Sequence, residues 1–226
     1  MLRSSNKYER SLIGVMDQDQ RLDAIISAIN CNETLQQQEV PPGLAQPKSF
    51  LKIMNARHYN WESELFRKVF GMRFSVQLPP FEQLNVITYP RQNYGAPIFI
   101  FFCMITKRKI IAHLNVNCPF DDDAYRAKWV DPLAKKMSQY SSFECADRYP
   151  EWMLKYRNSS TIYGLFPGDR LNDLHNCCFD YLEYYLATLK GSVRVTDPDR
   201  LAVIQRFEDG FVCDIRTQDK AQGMIA

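Results

Sequence analysis

The residues best placed to do chemistry in this chain are amides set inside apolar runs. Asn85 sits between Leu84 and Val86, and Asn115 and Asn117 interrupt the run KIIAHLNVN. An amide buried inside a strand must find hydrogen-bond partners, so each is either satisfied internally or waiting for a ligand. His113 lies an even step from Asn115 and shares its strand face, as a structural residue or as a ligand contact. Asp219, taken alone, reads as a solvated loop carboxylate or a helix cap. The basic run Lys107-Arg108-Lys109 is a solvated hairpin tip or a docking point for an acidic protein. The segment from Phe81 to Asn117 is therefore where a site is expected.

Those side chains need a sheet to hold them. Phe50–Asn60 and Leu65–Val76 read as strands, followed by Phe81–Tyr89, Ile98–Lys107 and Lys109–Asn117. Short links between consecutive strands predict an antiparallel meander. Helical spacing is expected over Arg21–Ile29, and again over Asp122–Met137 with a break or kink at Pro132. Ser160–Phe166 is a short apolar segment. A helix follows over Leu171–Leu189, with Asp169 as its cap and Gly191 as its end. Leu201–Phe207 is a helix or strand leading into a loop. Residues 30–47, Gln-rich and marked by Pro41-Pro42-Gly43, read as a linker. The expected organisation is an N-terminal helix and linker over 1–47 and one domain over 48–226. Strands first and helices after indicate an α+β fold with helices on an antiparallel sheet.

Composition removes several function classes. A formal charge of +2 over 226 residues gives no global drive toward nucleic acid or membranes. No apolar run approaches the ~20 residues needed to span a bilayer. The start lacks the apolar core of a secretory signal, so a soluble intracellular protein is expected. Seven cysteines without a CxxC pair, and three histidines at 58, 113 and 175, complete no metal-ligand set. No phosphate-cradling glycine loop, nucleophile elbow or HExxH occurs. If the chain is a redox enzyme, its electrons arrive from another protein. With 14 Phe, 12 Tyr and 3 Trp, it has an aromatic core or the walls of a pocket for a large flat ligand.

Four stretches, taken in order, resemble one family. FRKVFGMRF (66–74) is similar to an FRK-x-H-x-E strand, and LNVITYPRQNYGAPIF (84–99) to a strand followed by Tyr-Pro, Tyr and Pro-Ile-Phe. KIIAHLNVN with the Tyr125–Leu133 helix, and RTQDKAQGM (216–224) against T-x-x-D-P-x-R-G-M, complete the pattern. Trp152 and the Ser160–Phe166 segment also stand where that family has a Trp and a strand. The chain thereby resembles the ferredoxin-dependent bilin reductases over roughly residues 50 to 226, in particular the phycoerythrobilin- and phytochromobilin-forming branch, which carries Asn where Asn85 stands.

The resemblance implies a three-layer α/β/α sandwich with bilin between the sheet and the C-terminal helices. It implies reduction of biliverdin or a dihydrobiliverdin within phycobilin biosynthesis, by single electrons from ferredoxin through radical intermediates. No bound cofactor and no metal are expected. The setting it implies is a plastid stroma or a cyanobacterial-type cytoplasm, for a monomer. Asp219 takes the place of the late proton donor, and Asn85 acts beside it in catalysis. Asn115, Arg73, Phe102, His113 and Arg170 would bind the substrate, with Arg57 and Arg91 as further propionate partners. The chain departs from the pattern at Phe102, where many members carry a carboxylate, and it ends at Ala226 where they continue into a helix. Two other readings stay open: a bilin carrier that has lost catalysis, and an enzyme like the reductase of a ring-opened chlorophyll catabolite.

Overall fold

The computed structural model describes residues 18–41, 54–78, 80–107, 109–140, 143 and 150–218. Its centre is a seven-stranded antiparallel sheet whose strands lie side by side in sequence order. They are β1 (Gln36–Gln38), β2 (Met54–Glu62), β3 (Phe66–Gln77), β4 (Pro80–Pro90), β5 (Ile98–Thr106), β6 (Lys109–Asn117) and β7 (Ile162–Pro167). The long strands form because apolar side chains occur on both sides of their pleat. In β5, Phe99, Phe101 and Cys103 point one way while Ile98 and Ile100 point the other, and all five are buried. A sheet apolar on both faces must be covered on both, which makes three layers.

One face is covered by α1 (Gln18–Asn32), α2 (Asp123–Trp129), α3 (Asp131–Met137) and α4 (Leu171–Lys190). Leu22, Ile25 and Ile29 of α1 join the same core as Leu84, Val86, Phe101 and Leu114 of the sheet. The helix read from the sequence as preceding the domain thus packs into it. Gly71 on β3 lets it approach, since a Cβ there would meet the Trp61 ring at 3.0 Å and Leu22 at 3.2 Å. The apolar stripe of α4 is the expected one, and Leu174, Cys178, Tyr181, Tyr185 and Leu189 are all buried. Tyr185 donates to the Pro97 carbonyl at 2.8 Å and ties the helix to the turn before β5.

The opposite face is covered by α5 (Pro198–Gln218) and by a 3₁₀ turn, Glu151–Tyr156. Phe211 packs on Tyr89, Ile87, Ile98 and Ile100 of the sheet and on Tyr156 of the turn. Glu208, buried on the same helix, accepts from Arg67 at 3.0 Å and from Gln92 at 2.8 Å. Those two bonds pin α5 to β3 and to the turn after β4.

Several boundaries differ from expectation for physical reasons. β1 was expected to be linker; its three glutamines pair with Asn60, Trp61 and Glu62 because β2 offers an open edge there. The kink expected at Pro132 falls at Val130, and Pro132 sits in the first turn of α3, where a missing N–H costs nothing. Asp169 does not cap α4, because a 3₁₀ turn over Gly168–Arg170 carries the helix start past it. The loop expected after Phe207 is helix instead. Ile204, Phe207, Phe211 and Ile215 recur on one side of α5, and their burial outweighs the roughly 1 kcal/mol cost of Gly210.

Candidate active site

The face under α5 brings the chemistry together. Strand register places His58, Met72, Asn85, Phe102, His113 and Tyr163 in one cross-strand row from β2 to β7. The next row toward the centre of α5 runs Asn60, Phe70, Ile87, Ile100 and Asn115. On the other side lie Ala56, Phe74, Gln83, Met104 and Ile111. With ~4.8 Å between strands, each row is a floor some 20 Å wide, mostly of aromatic, Met and Ile side chains. Phe70 belongs both to the cluster under α5 and to a second one with Ala56, Met72, Phe74 and Phe81. The floor therefore extends beyond the rows that α5 covers.

Asn85 stands near the middle of this floor. Its Oδ1 is buried without a hydrogen-bond partner among the described residues. Leaving such an oxygen unpaired costs on the order of 1–3 kcal/mol, so the position favours a ligand N–H. Phe102 lies directly between Asn85 and His113 and is half-buried. It contributes apolar area where a carboxylate would have contributed a proton.

His113 is buried, with its ring set edge-on to Tyr163 at 5.7 Å. Burial pushes its imidazole down to about 4, so it is neutral near pH 7. An unfolded histidine titrates near 6.5, so the unfolded chain binds the proton first as pH falls. His113 thus stabilises the fold fully above that pH and progressively loses this contribution toward pH 4. His175, also buried, is shifted the same way. Between pH 7 and pH 4, the protein is expected to lose roughly 3 kcal/mol more stability than its His113→Gln variant. Urea unfolding across that range checks it; parallel pH profiles would refute it.

Asn115 shares the floor, but its amide is engaged. It donates to Asn117 Oδ1 at 2.7 Å and to the Tyr156 carbonyl at 2.9 Å. Its own Oδ1 accepts from Asn158 Nδ2 at 3.2 Å and Thr161 Oγ1 at 2.9 Å. It holds the 156–161 segment against β6.

The arginines named from the sequence are not gathered with Asn85. Arg73 is one residue from Met72, so it points to the opposite face, where it pairs with Asp19 of α1. Arg170 lies in the turn before α4, pairing with Asp173 at 3.3 Å and stacking over Phe143 at 5.1 Å. Arg57 alternates away from His58, and Arg91 donates to the Ser63 carbonyl at 3.0 Å. Asp219 lies outside the described residues; it follows Gln218, the last residue of α5.

Arg67 and Lys68, a candidate basic rim for an acidic ferredoxin in the sequence, border this face together with groups that the sequence reading missed. Lys68 lies over Phe70 at 5.7 Å, and Arg67 over Tyr89 at 5.0 Å, at an irregularity in β3 pairing between Phe66 and Lys68. Tyr156 donates to Asp214 of α5 at 2.5 Å, and Lys155 pairs with the same carboxylate at 2.6 Å. Desolvation raises the Asp214 pKa, but the bonds from Lys155 and Tyr156 and the Lys155 charge together outweigh it. Asp214 is accordingly an ionised strut and not a proton source. Asn60 and His58, an alternating polar pair in β2, carried the same signal as Asn115 and Asn117 and went unread. No group of metal-ligating side chains forms among the described residues. No helix among them is long and apolar enough to cross a membrane.

The family model for ferredoxin-dependent bilin reductase matches residues 22–226. The chain belongs to the ferredoxin-dependent bilin reductase family. It is an oxidoreductase, and its reaction class is ferredoxin-dependent bilin reduction. A crystal structure of selenomethionine phytochromobilin synthase from tomato, in complex with biliverdin, has the same fold. Its TM-score is 0.83 at 15% identity, over 92% of this reductase and 76% of the tomato chain. No curated protein sequence matches this reductase.

Proposed function

We propose that this reductase hydrogenates a biliverdin-type open-chain tetrapyrrole lying on the sheet floor beneath α5. One observation carries the placement. Asn85 buries an unpartnered amide oxygen between Met72 and Phe102, in the row beside the Ile87 and Ile100 that α5 covers. A bilin is flat and apolar across its rings but carries N–H groups along its inner edge. It fits a floor that is largely apolar and polar at a few inner points, Asn85 among them.

Reduction of one double bond takes two electrons and two protons. The electrons come one at a time from reduced ferredoxin, with radical intermediates on the bilin and no cofactor held by the protein. An acidic ferredoxin docks near the exposed Lys107 and Lys109 at the β5–β6 hairpin tip, with Arg67 and Lys68 as a second basic contact. Asp219 supplies one proton, since a carboxyl desolvated against an apolar ring system keeps its proton toward neutral pH, and solvent supplies the second. Asn85 holds the inner N–H groups in register with that proton. Phe102 provides no proton from the sheet side, which favours reduction of a single double bond over a multi-step reaction. The reductase then acts in phycobilin biosynthesis, in a plastid stroma or a cyanobacterial-type cytoplasm.

Titrating the protein with biliverdin and following the visible absorbance is the test. The bound bilin should shift its long-wavelength band, and Asn85→Leu should weaken binding by about tenfold, as loss of one buried hydrogen bond does. Unchanged affinity in Asn85→Leu would remove Asn85 from the site.

A further inference from the structure

We infer that Asn60 is a second amide contact for the bilin, pairing with the lactam of one of its terminal rings. The inference rests on the bilin reading above and extends it to a residue on a different strand. Asn60 lies opposite Phe70 in the register of β2 and β3, and Phe70 packs with the cluster under α5. Asn60 therefore faces the same side as Asn85. Its Oδ1 is also buried without a hydrogen-bond partner among the described residues. The other two asparagines on this face, Asn115 and Asn117, are joined to each other, and Asn115 is further engaged by Tyr156, Asn158 and Thr161. Asn60 and Asn85 are thus the orphaned amide oxygens of the floor among the described residues.

Their spacing has a meaning. Asn85 pairs with Met72, and Met72 with His58, so Asn60 is two strands across from Asn85 and two residues along. Two inter-strand steps of ~4.8 Å and two residues of ~3.4 Å put their backbones about 12 Å apart on the diagonal. Between them lie Phe70 and Met72 of β3, both apolar. Two amide contacts separated by a flat apolar shelf match a chain of four rings contacted at its inner nitrogens and again at one end. A terminal lactam offers an N–H donor beside a C=O acceptor, and a carboxamide is its complement. Asn60 Oδ1 accepts the lactam N–H, and its NH₂ can return a bond to the lactam oxygen. The neutral pair fixes which end of the bilin lies over β2, and hence which terminal ring is presented to the reacting side.

The test uses biliverdin and its two mono-O-methyl lactim ethers, each lacking the N–H of one terminal ring, in absorbance titrations. The protein should bind biliverdin about tenfold more tightly than one of the ethers. Asn60→Ala should lose about tenfold for biliverdin and no longer distinguish it from that ether. Asn60→Asp, which keeps an acceptor oxygen, should still distinguish them and guards against a folding artefact. If Asn60→Ala discriminates against both ethers as the unmodified protein does, Asn60 is not the lactam contact and the bilin reading stands. If the unmodified protein shifts the spectrum of none of the three compounds, the bilin reading fails and this inference with it.

Discussion

Asp219→Asn should reduce the rate of bilin reduction by about 10²- to 10⁴-fold while leaving bilin affinity within a few-fold of the parent. The size follows from how poorly the other candidate groups of the sheet floor, among the described residues, are suited to give up a proton. Phe102 occupies the central sheet position, and burial holds His113 neutral down to about pH 4. Asp214 is held ionised by Lys155 and Tyr156. Burial also pushes Tyr89 up to about 12, which makes it a poor acid. Asparagine keeps the shape and polarity of the aspartate, so binding persists while proton delivery is lost. Single-turnover reduction under anaerobic conditions, followed by absorbance, separates the two effects. The expected record is a bound spectrum that forms normally and then stalls. Turnover at the parental rate would take the proton-donor role away from Asp219.

Asn115→Ala should be the most damaging change to the floor itself, lowering unfolding stability by about 3 to 5 kcal/mol. Four hydrogen bonds converge on one fully buried amide. Its removal leaves the Tyr156 carbonyl, Asn117 Oδ1 and the Thr161 hydroxyl without this partner, while Asn158 keeps its bond to the Val116 carbonyl. The damage travels to α5, because Tyr156 packs on Phe211 at 5.2 Å and its hydroxyl bonds Asp214. Urea unfolding measures the loss directly. A change below about 1 kcal/mol, accompanied by a fall in bilin affinity, would instead make Asn115 a ligand contact.

How much of this was legible depended on whether the signal was local. β4, β5 and β6 could be read to within a residue or two, because each places buried apolar residues at alternate positions. The stripe of α4 was equally plain. β1 was not, since Gln36–Gln38 has no strand preference and pairs only because the end of β2 is free. The split of the helix at Val130 was misplaced by two residues because Pro132 drew attention to itself and not to the turn it starts.

The site was legible in part. Asn85 announced itself as a polar residue in an apolar strand. The face of Arg73 was a matter of parity: Met72 pairs with Asn85, so Arg73 must point the other way. That parity follows only once the β3–β4 register is known, and register is set by the hairpin near residues 77–80 and not by either strand alone. The state of Asn115 depended on Tyr156, Asn158 and Thr161, some forty residues away in sequence. No local pattern could have reported that. Asn60 was available by the same alternation that exposed Asn115 and Asn117, masked by the charged and aromatic residues around it.

The central claim is that this protein reduces a bilin with electrons from ferredoxin on the floor beneath α5. The most direct measurement is anaerobic incubation of the protein with biliverdin, ferredoxin and a system that keeps ferredoxin reduced, followed by absorbance and chromatography of the product. The account predicts loss of the biliverdin band and a product two hydrogens heavier, dependent on both protein and ferredoxin. A stable shift of the bound spectrum with biliverdin recovered intact would contradict the enzyme reading and leave a bilin carrier.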